Sequence, residues 1–110
     1  VLEAQLAAEE KVQIGAIPRD IDSAARDIIM KHGYGEAFNH RLGHGIGMDG
    51  YEAPYISQGN DFPLVEGNCF SIEPGIYLEG TFGVRIEDLM MLTESGKEII
   101  TLFPKKLIIL

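Results

Sequence analysis

Residues Cys69 to Asp88 read C-F-S-I-E-P-G-I-Y-L-E-G-T-F-G-V-R-I-E-D. Even positions are apolar: Phe70, Ile72, Pro74, Ile76 and Leu78, then Phe82, Val84 and Ile86. Odd positions are polar or glycine: Ser71, Glu73, Gly75 and Tyr77, then Gly83, Arg85 and Glu87. That period of two is the mark of a half-buried strand, and it recurs on both sides of a turn at Glu79-Gly80-Thr81. A hairpin centred on Gly80 sets opposite each other the residues whose numbers sum to 160, so Glu73 faces Glu87. Opposed side chains have Cβ atoms about 4.5–5.5 Å apart, and like charges there are destabilising. Two readings follow. The acids lie on a solvated face neutralised by Arg85, or they flank a proton or a metal cation.

Outward from that stretch, 110 residues suffice for one small domain, with 45% hydrophobic and 24% charged residues. No run of ~18 apolar residues suggests a membrane span, and no signal-peptide pattern opens the chain. Val1 already lies in a helical pattern with no Met before it, which reads as a piece of a longer chain. The single cysteine, Cys69, excludes an internal disulfide and suits a reducing, cytoplasmic setting; it reads as a small buried hydrophobe on a strand. A net charge of −8 argues against nucleic acid or an anionic membrane as partner.

Residues 1–14 are rich in Ala, Glu, Leu and Gln and predict a helix ended by Gly15. Asp20 is placed to cap a second helix that runs to about His32, with Ile21, Ala24, Ala25, Ile28 and Ile29 as its apolar stripe, stopped by Gly33 and Gly35. Residues 51–68, punctuated by Pro54, Gly59, Asn60, Pro63 and Gly67, read as a loop. Met90–Thr93 and Glu98–Leu102 predict a second strand pair around Ser95-Gly96, and the apolar tail Leu107–Leu110 is expected to pack or pair. Helices first and strands afterwards point to an α+β fold.

Between helix and loop lies H-R-L-G-H-G-I-G, residues 40–47. The glycines exclude the helix on which His40 and His44 would share a face. On a strand they share a face too, but roughly 13 Å apart at ~3.3 Å per residue, too far for one metal. The glycines permit close approach of another backbone or of a substrate. The histidines read either as satisfied loop residues or as one ligand with a neighbour in the same cleft. His32, at a helix end, reads as a surface cation favoured by the helix dipole.

Taken together, H-R-L-G-H-G-I-G, E-A-P-Y, E-G-N-C-F-S-I-E-P-G-I-Y and G-V-R-I-E-D, in this order and spacing, resemble the C-terminal half of a pita-bread metallopeptidase catalytic domain. The resemblance runs through nearly the whole chain, 1–110, including the helix I-D-S-A-A-R and the ending F-P-K-K-L. It is nearest to the Xaa-Pro branch, the prolidases and aminopeptidases P. It implies two helices followed by a curved antiparallel sheet, two divalent ions (Mn, Co, Zn or Fe), and proline-containing peptides as substrates. Residue by residue, it implies His44 as a terminal metal ligand, Glu73 as ligand and general base or proton shuttle, and Glu87 as the bridge between the metals. His40 would contact the scissile region, with Tyr77 and Arg85 as partners behind the ligands. The chemistry implied is amide hydrolysis by a water shared between two cations. The family commonly dimerises, which implies a homodimer.

Two features depart from the pattern. The family's site also takes two aspartates from an upstream strand pair; Asp20, Asp22, Asp27, Asp49, Asp61 and Asp88 stand in the wrong context to replace them, so three of five ligands are present. Seven residues after His44, where the family has a second substrate-contacting His, stands Tyr51. The alternative function is a non-catalytic pita-bread module that binds peptides or a protein partner. Weaker still is hydrolysis of a non-peptide C–N bond.

Overall fold

A computed structural model describes all residues, 1–110. Helix α1 spans Leu2–Lys11 and α2 spans Pro18–Lys31. α1 ends three residues short of the predicted end, where Val12 turns extended. α2 begins two residues before the predicted cap: Pro18 takes the first helical position, where its missing N–H leaves nothing unpaired. Asp20 therefore lies in the first turn, where the helix dipole favours an acid, and is not the cap. The other end matches expectation. Gly33 takes φ +86°, its N–H bonds Met30 O and that of Tyr34 bonds Ile29 O, closing the last turn.

After a 3₁₀ turn at Gly35–Ala37 come seven strands: β1 Gly43–Gly45, β2 Glu52–Ile56, β3 Cys69–Ile72, β4 Gly75–Leu78, β5 Phe82–Arg85, β6 Asp88–Thr93 and β7 Gly96–Ile99. Five of them form an antiparallel sheet in the order β2-β1-β3-β6-β7, while β4 and β5 form a separate ribbon. β2 corrects the expected loop. Its Pro54 lacks an N–H, which an edge strand tolerates. β7 starts earlier than predicted, because the loop after β6 is only Glu94-Ser95. The tail Leu107–Leu110 neither packs nor pairs; all four residues are exposed.

The predicted register holds on both arms: Ile72 faces Asp88 in the large sheet and Gly75 faces Arg85 in the ribbon. The single predicted hairpin is nonetheless two ladders in two sheets. The break falls at Glu73-Pro74 and Ile86-Glu87, where Pro74 has no N–H to give.

Phe70, Ile72, Met90 and Leu92, with Ile56 and Leu64, pack against Ala4, Ala8 and Val12 of α1 and Ile21, Ala25 and Ile29 of α2. These residues are all at most 2% exposed. The even-numbered face of β3 and β6 is thus the core, and the helices lie on it. The outer arm of the ribbon departs from expectation: Phe82 and Val84 are exposed, since a two-stranded ribbon offers no second layer there. No helix is long and apolar enough to cross a membrane.

Candidate metal centre

The break between the two ladders is the site. Glu73 is held through its N–H, which bonds Leu42 O at 2.8 Å. Its carboxylate Oε2 lies 3.7 Å from His44 Nε2, both side chains about one-eighth exposed (14% and 12%). Glu87, next in the register, lies close enough to hydrogen-bond Glu73. Burial, then the charge of Glu73 and that hydrogen bond, push the Glu87 carboxyl above its usual range; Arg85 and His44 oppose the shift.

His44 projects from β1, a strand squeezed between neighbours. A Cβ at Gly43 would collide with the Ser71 carbonyl, and one at Gly45 with the carbonyls of Glu52 and Ala53. The glycines of the H-x-x-x-H run thus serve the approach of protein backbone. Ser71, buried on the site side of β3, accepts from His44 N through its Oγ at 3.1 Å. The imidazole Nδ1–H donates to Gly45 O at 2.9 Å, since a carbonyl can only accept. Nε2 therefore carries the lone pair and turns it toward the Glu73 carboxylate. Lone pair against carboxylate is repulsive unless a proton or a cation lies between them, and a backbone-bonded Nδ1–H is how metal-binding histidines are oriented.

Behind the acids runs a polar relay. Tyr77 Oη–H donates to His40 Nε2 at 2.7 Å, and His40 Nδ1–H donates to Arg41 O at 2.7 Å. The Arg85 guanidinium is raised above its usual value first by its hydrogen bond to Tyr77, with Glu73 and Glu87 adding to it. Tyr77 lies in a trough without side chains: a Cβ on Gly75 would meet its hydroxyl, and one on Gly83, directly across the ribbon, its ring. The Tyr51 ring contacts that of His44 at a tilt of 56°, with centroids 4.5 Å apart, and Arg41 lies 5.8 Å from the Tyr51 ring and 4.8 Å from that of Tyr55.

The fold thus gathers His44, Glu73 and Glu87 with Arg85, Tyr77 and His40 around one break in the sheet, with Tyr51 against the exposed side of His44. His40 lies before β1, so the strand reading that set the two histidines on one face does not apply. No group of three or more His, Cys, Asp or Glu side chains stands close enough to hold a metal ion alone. The donor chemistry of His44, Glu73 and Glu87 fits a divalent cation.

Sequence reasoning passed over Asp22 and Arg26 of α2, which tie down the loop carrying His40. Their i, i+4 spacing was the available signal. It also passed over the buried group of Glu9, Asp88 and Lys105, whose members lie too far apart in sequence to leave a pattern.

A helix pair laid on a curved antiparallel sheet is the pita-bread architecture of prolidases and aminopeptidases P. The sequence profile of metallopeptidase family M24 matches residues 1–94, and the chain belongs to that family. It is 58% identical over 99 residues to a Xaa-Pro dipeptidase of Lactobacillus helveticus, covering 90% of this chain and 27% of that protein. A prolidase from Thermococcus sibiricus superposes with a TM-score of 0.94 at 50% identity, covering 97% of this chain and 29% of that one. An X-Pro aminopeptidase from Thermotoga maritima superposes at 0.92 with 51% identity, covering 96% and 30%. The chain spans about three-tenths of the length of the relatives it matches.

Proposed function

We propose that the protein carrying this chain hydrolyses Xaa-Pro peptide bonds, as a dipeptidase or an aminopeptidase P, with two divalent metal ions. The observation that carries the reading is the pairing of Glu73 with Glu87 beside the Nε2 lone pair of His44, with no lysine or arginine between them. His44 and Glu73 would hold one ion and Glu87 would bridge to the second, the remaining ligands coming from outside this chain. When bound, such ions acidify a water and neutralise charge that develops on the scissile carbonyl. Glu73 would accept a proton from that water and return it to the leaving proline nitrogen. His40, its Nε2 occupied by Tyr77, would border the substrate side, and Arg85 would offset the charge of both acids.

A second reading, a module that binds peptides or a protein without catalysis, draws on one observation. Tyr51 stands where the family has a histidine, and its ring lies tilted against that of His44. A phenol donates a hydrogen bond but cannot carry an imidazolium charge.

Bound Mn, Co, Zn and Fe after loading and desalting, followed by hydrolysis of an Xaa-Pro dipeptide and of a longer Xaa-Pro peptide, test the proposal. Retained metal with turnover supports it and separates dipeptidase from aminopeptidase. Retained metal without turnover of either substrate favours the binding module, and absence of both sinks the metallopeptidase reading.

A further inference from the structure

His40 lies on a bend that belongs to neither α2 nor β1, yet the bend is tied down at every second residue. Arg26 Nη1 donates to Phe38 O at 3.0 Å and Nη2 to His40 O at 2.9 Å. Leu42 N–H donates to Asp22 Oδ2 at 3.0 Å. Asp22 and Arg26, one helical turn apart, are joined in a fork, Nε to Oδ1 at 2.7 Å and Nη2 to Oδ2 at 3.1 Å. Asp22 is fully buried and the Arg26 side chain is 14% exposed. Two ring contacts extend the same hold: the Arg26 guanidinium lies 4.1 Å over Phe38, and Phe38 meets the His40 ring edge-on at 5.1 Å. Leu42, bonded to Asp22 through its N–H, accepts Glu73 N–H through its carbonyl.

A helix-stabilising ion pair would need only the fork. Here the remaining Arg26 donors leave the helix and end on the carbonyls of Phe38 and His40, and Asp22 accepts the N–H of Leu42, whose carbonyl holds Glu73. We infer that Asp22 and Arg26 are positioning residues of the site. They fix the backbone and ring direction of His40, so that its Nε2 meets Tyr77, and through Leu42 they set the backbone of Glu73 beside His44. The inference rests on the functional reading above for its effect on turnover, but not for its effect on His40.

Arg26→Lys keeps the charge and loses the planar fork, so it cannot reproduce four directed bonds. The experiment compares it with wild type in the natural protein, using ¹⁵N-labelled histidine side chains in NMR together with kcat and KM on an Xaa-Pro dipeptide. Arg19→Lys, which changes an exposed pair with Asp61, is the control. Expected for Arg26→Lys is a His40 spectrum that passes from one Nδ1–H tautomer to a mixture, an unchanged metal content, and a kcat lowered by about 10–100-fold, the scale of an ångström-sized misplacement. KM should move much less, and the control should match wild type throughout. An unchanged His40 spectrum and kcat in a folded Arg26→Lys protein would overturn the inference and leave the pair as scaffold alone. Should that variant not fold, the isosteric Asp22→Asn, which weakens the fork, decides by the same two readouts. A wild-type protein inactive on the dipeptide would remove the functional reading, while the His40 spectra would still decide the positioning.

Discussion

Glu87 and Asp88 are neighbours in the chain but belong to two different pairs of acids. Asp88 pairs with Glu9 across the contact between β6 and α1, and Lys105 lies between them: its Nζ is 2.5 Å from Asp88 Oδ2 and 2.9 Å from Glu9 Oε1. Gln5 adds a bond to Glu9 at 3.1 Å. Burial alone would lower the Lys105 ammonium, but its bonds to Asp88 and Glu9 outweigh burial and raise it. Glu87 pairs with Glu73, and Arg85, which interacts most with the Tyr77 phenol, offsets both acids only through its charge and forms no ion pair with either. The first pair is closed by the protein's own lysine. The second is left open beside a histidine lone pair. Identical chemistry thus serves structure where the charge is balanced internally, and offers a binding site where it is not.

The largest effect that could break this comparison belongs to the open pair. Glu87→Ala should reduce metal-dependent Xaa-Pro hydrolysis to background, beyond the roughly 100-fold scale of changes behind a metal ligand, while circular dichroism stays that of wild type. Glu87→Gln should raise the melting temperature of the metal-free protein, because it removes a like-charge contact. A rate in Glu87→Ala equal to wild type, with metal present, would falsify the bridging role.

Lys105→Met tests the closed pair. Removing the one cation leaves two acids uncompensated, and the expected loss is about 3–5 kcal/mol in urea unfolding. A loss under about 1 kcal/mol would mean that the cluster behaves as a solvated surface pair, and the contrast between the two acid pairs would fail.

The two regions were not equally legible in the sequence. The open pair could be read because Glu73 and Glu87 sit on one hairpin, where a period of two and a single turn fix who faces whom, and both ladders keep that register. What could not be read was the transfer between sheets at Pro74, since alternation is the same whether two arms share one sheet or two. The edge strand β2 was hidden by Pro54, which argues against a strand in any position but an edge. The closed pair brings together residues 9, 88 and 105, and only tertiary packing sets that proximity. The anchors Asp22 and Arg26 show the same limit in milder form: their spacing says that they meet each other, not that they reach Phe38, His40 and Leu42.

Tyr51→His addresses the position at the open site where, by the resemblance, a histidine is expected. The phenol can donate a hydrogen bond to a substrate carbonyl but cannot become a cation, so the imidazole should raise turnover on Xaa-Pro substrates. The gain should stay below the roughly 10²-fold of a full acid–base contribution, because the phenol already supplies part of it. No gain in kcat would mean that the carbonyl is polarised elsewhere, and that the contact of Tyr51 with His44 is a feature this protein uses as it stands.

The smallest effect is in the pH dependence of the closed pair. Glu9 is held above its ordinary value of 4.5, first by burial and then by its hydrogen bond with Asp88. Asp88 is held below its ordinary 3.8: burial would raise it, but the bonds from Glu9 and Lys105 prevail. Between pH 4.5 and the raised value of Glu9, the folded protein keeps a proton that the unfolded chain has released, so stability falls as pH rises through that window. Below pH 3.8 the unfolded chain takes up the Asp88 proton first, so stability falls again as pH drops. Glu9→Gln should flatten the upper limb, by less than the Lys105 effect, while the lower limb persists through the Lys105 bond, in melting temperatures taken from about pH 2 to 7. Glu87 is raised as well, so a slope that persists above pH 4.5 in the variant is the share of the open pair. If Glu9→Gln leaves the upper limb as steep as wild type, Lys105 balances Glu9 completely, and the open pair alone sets how this protein responds to pH.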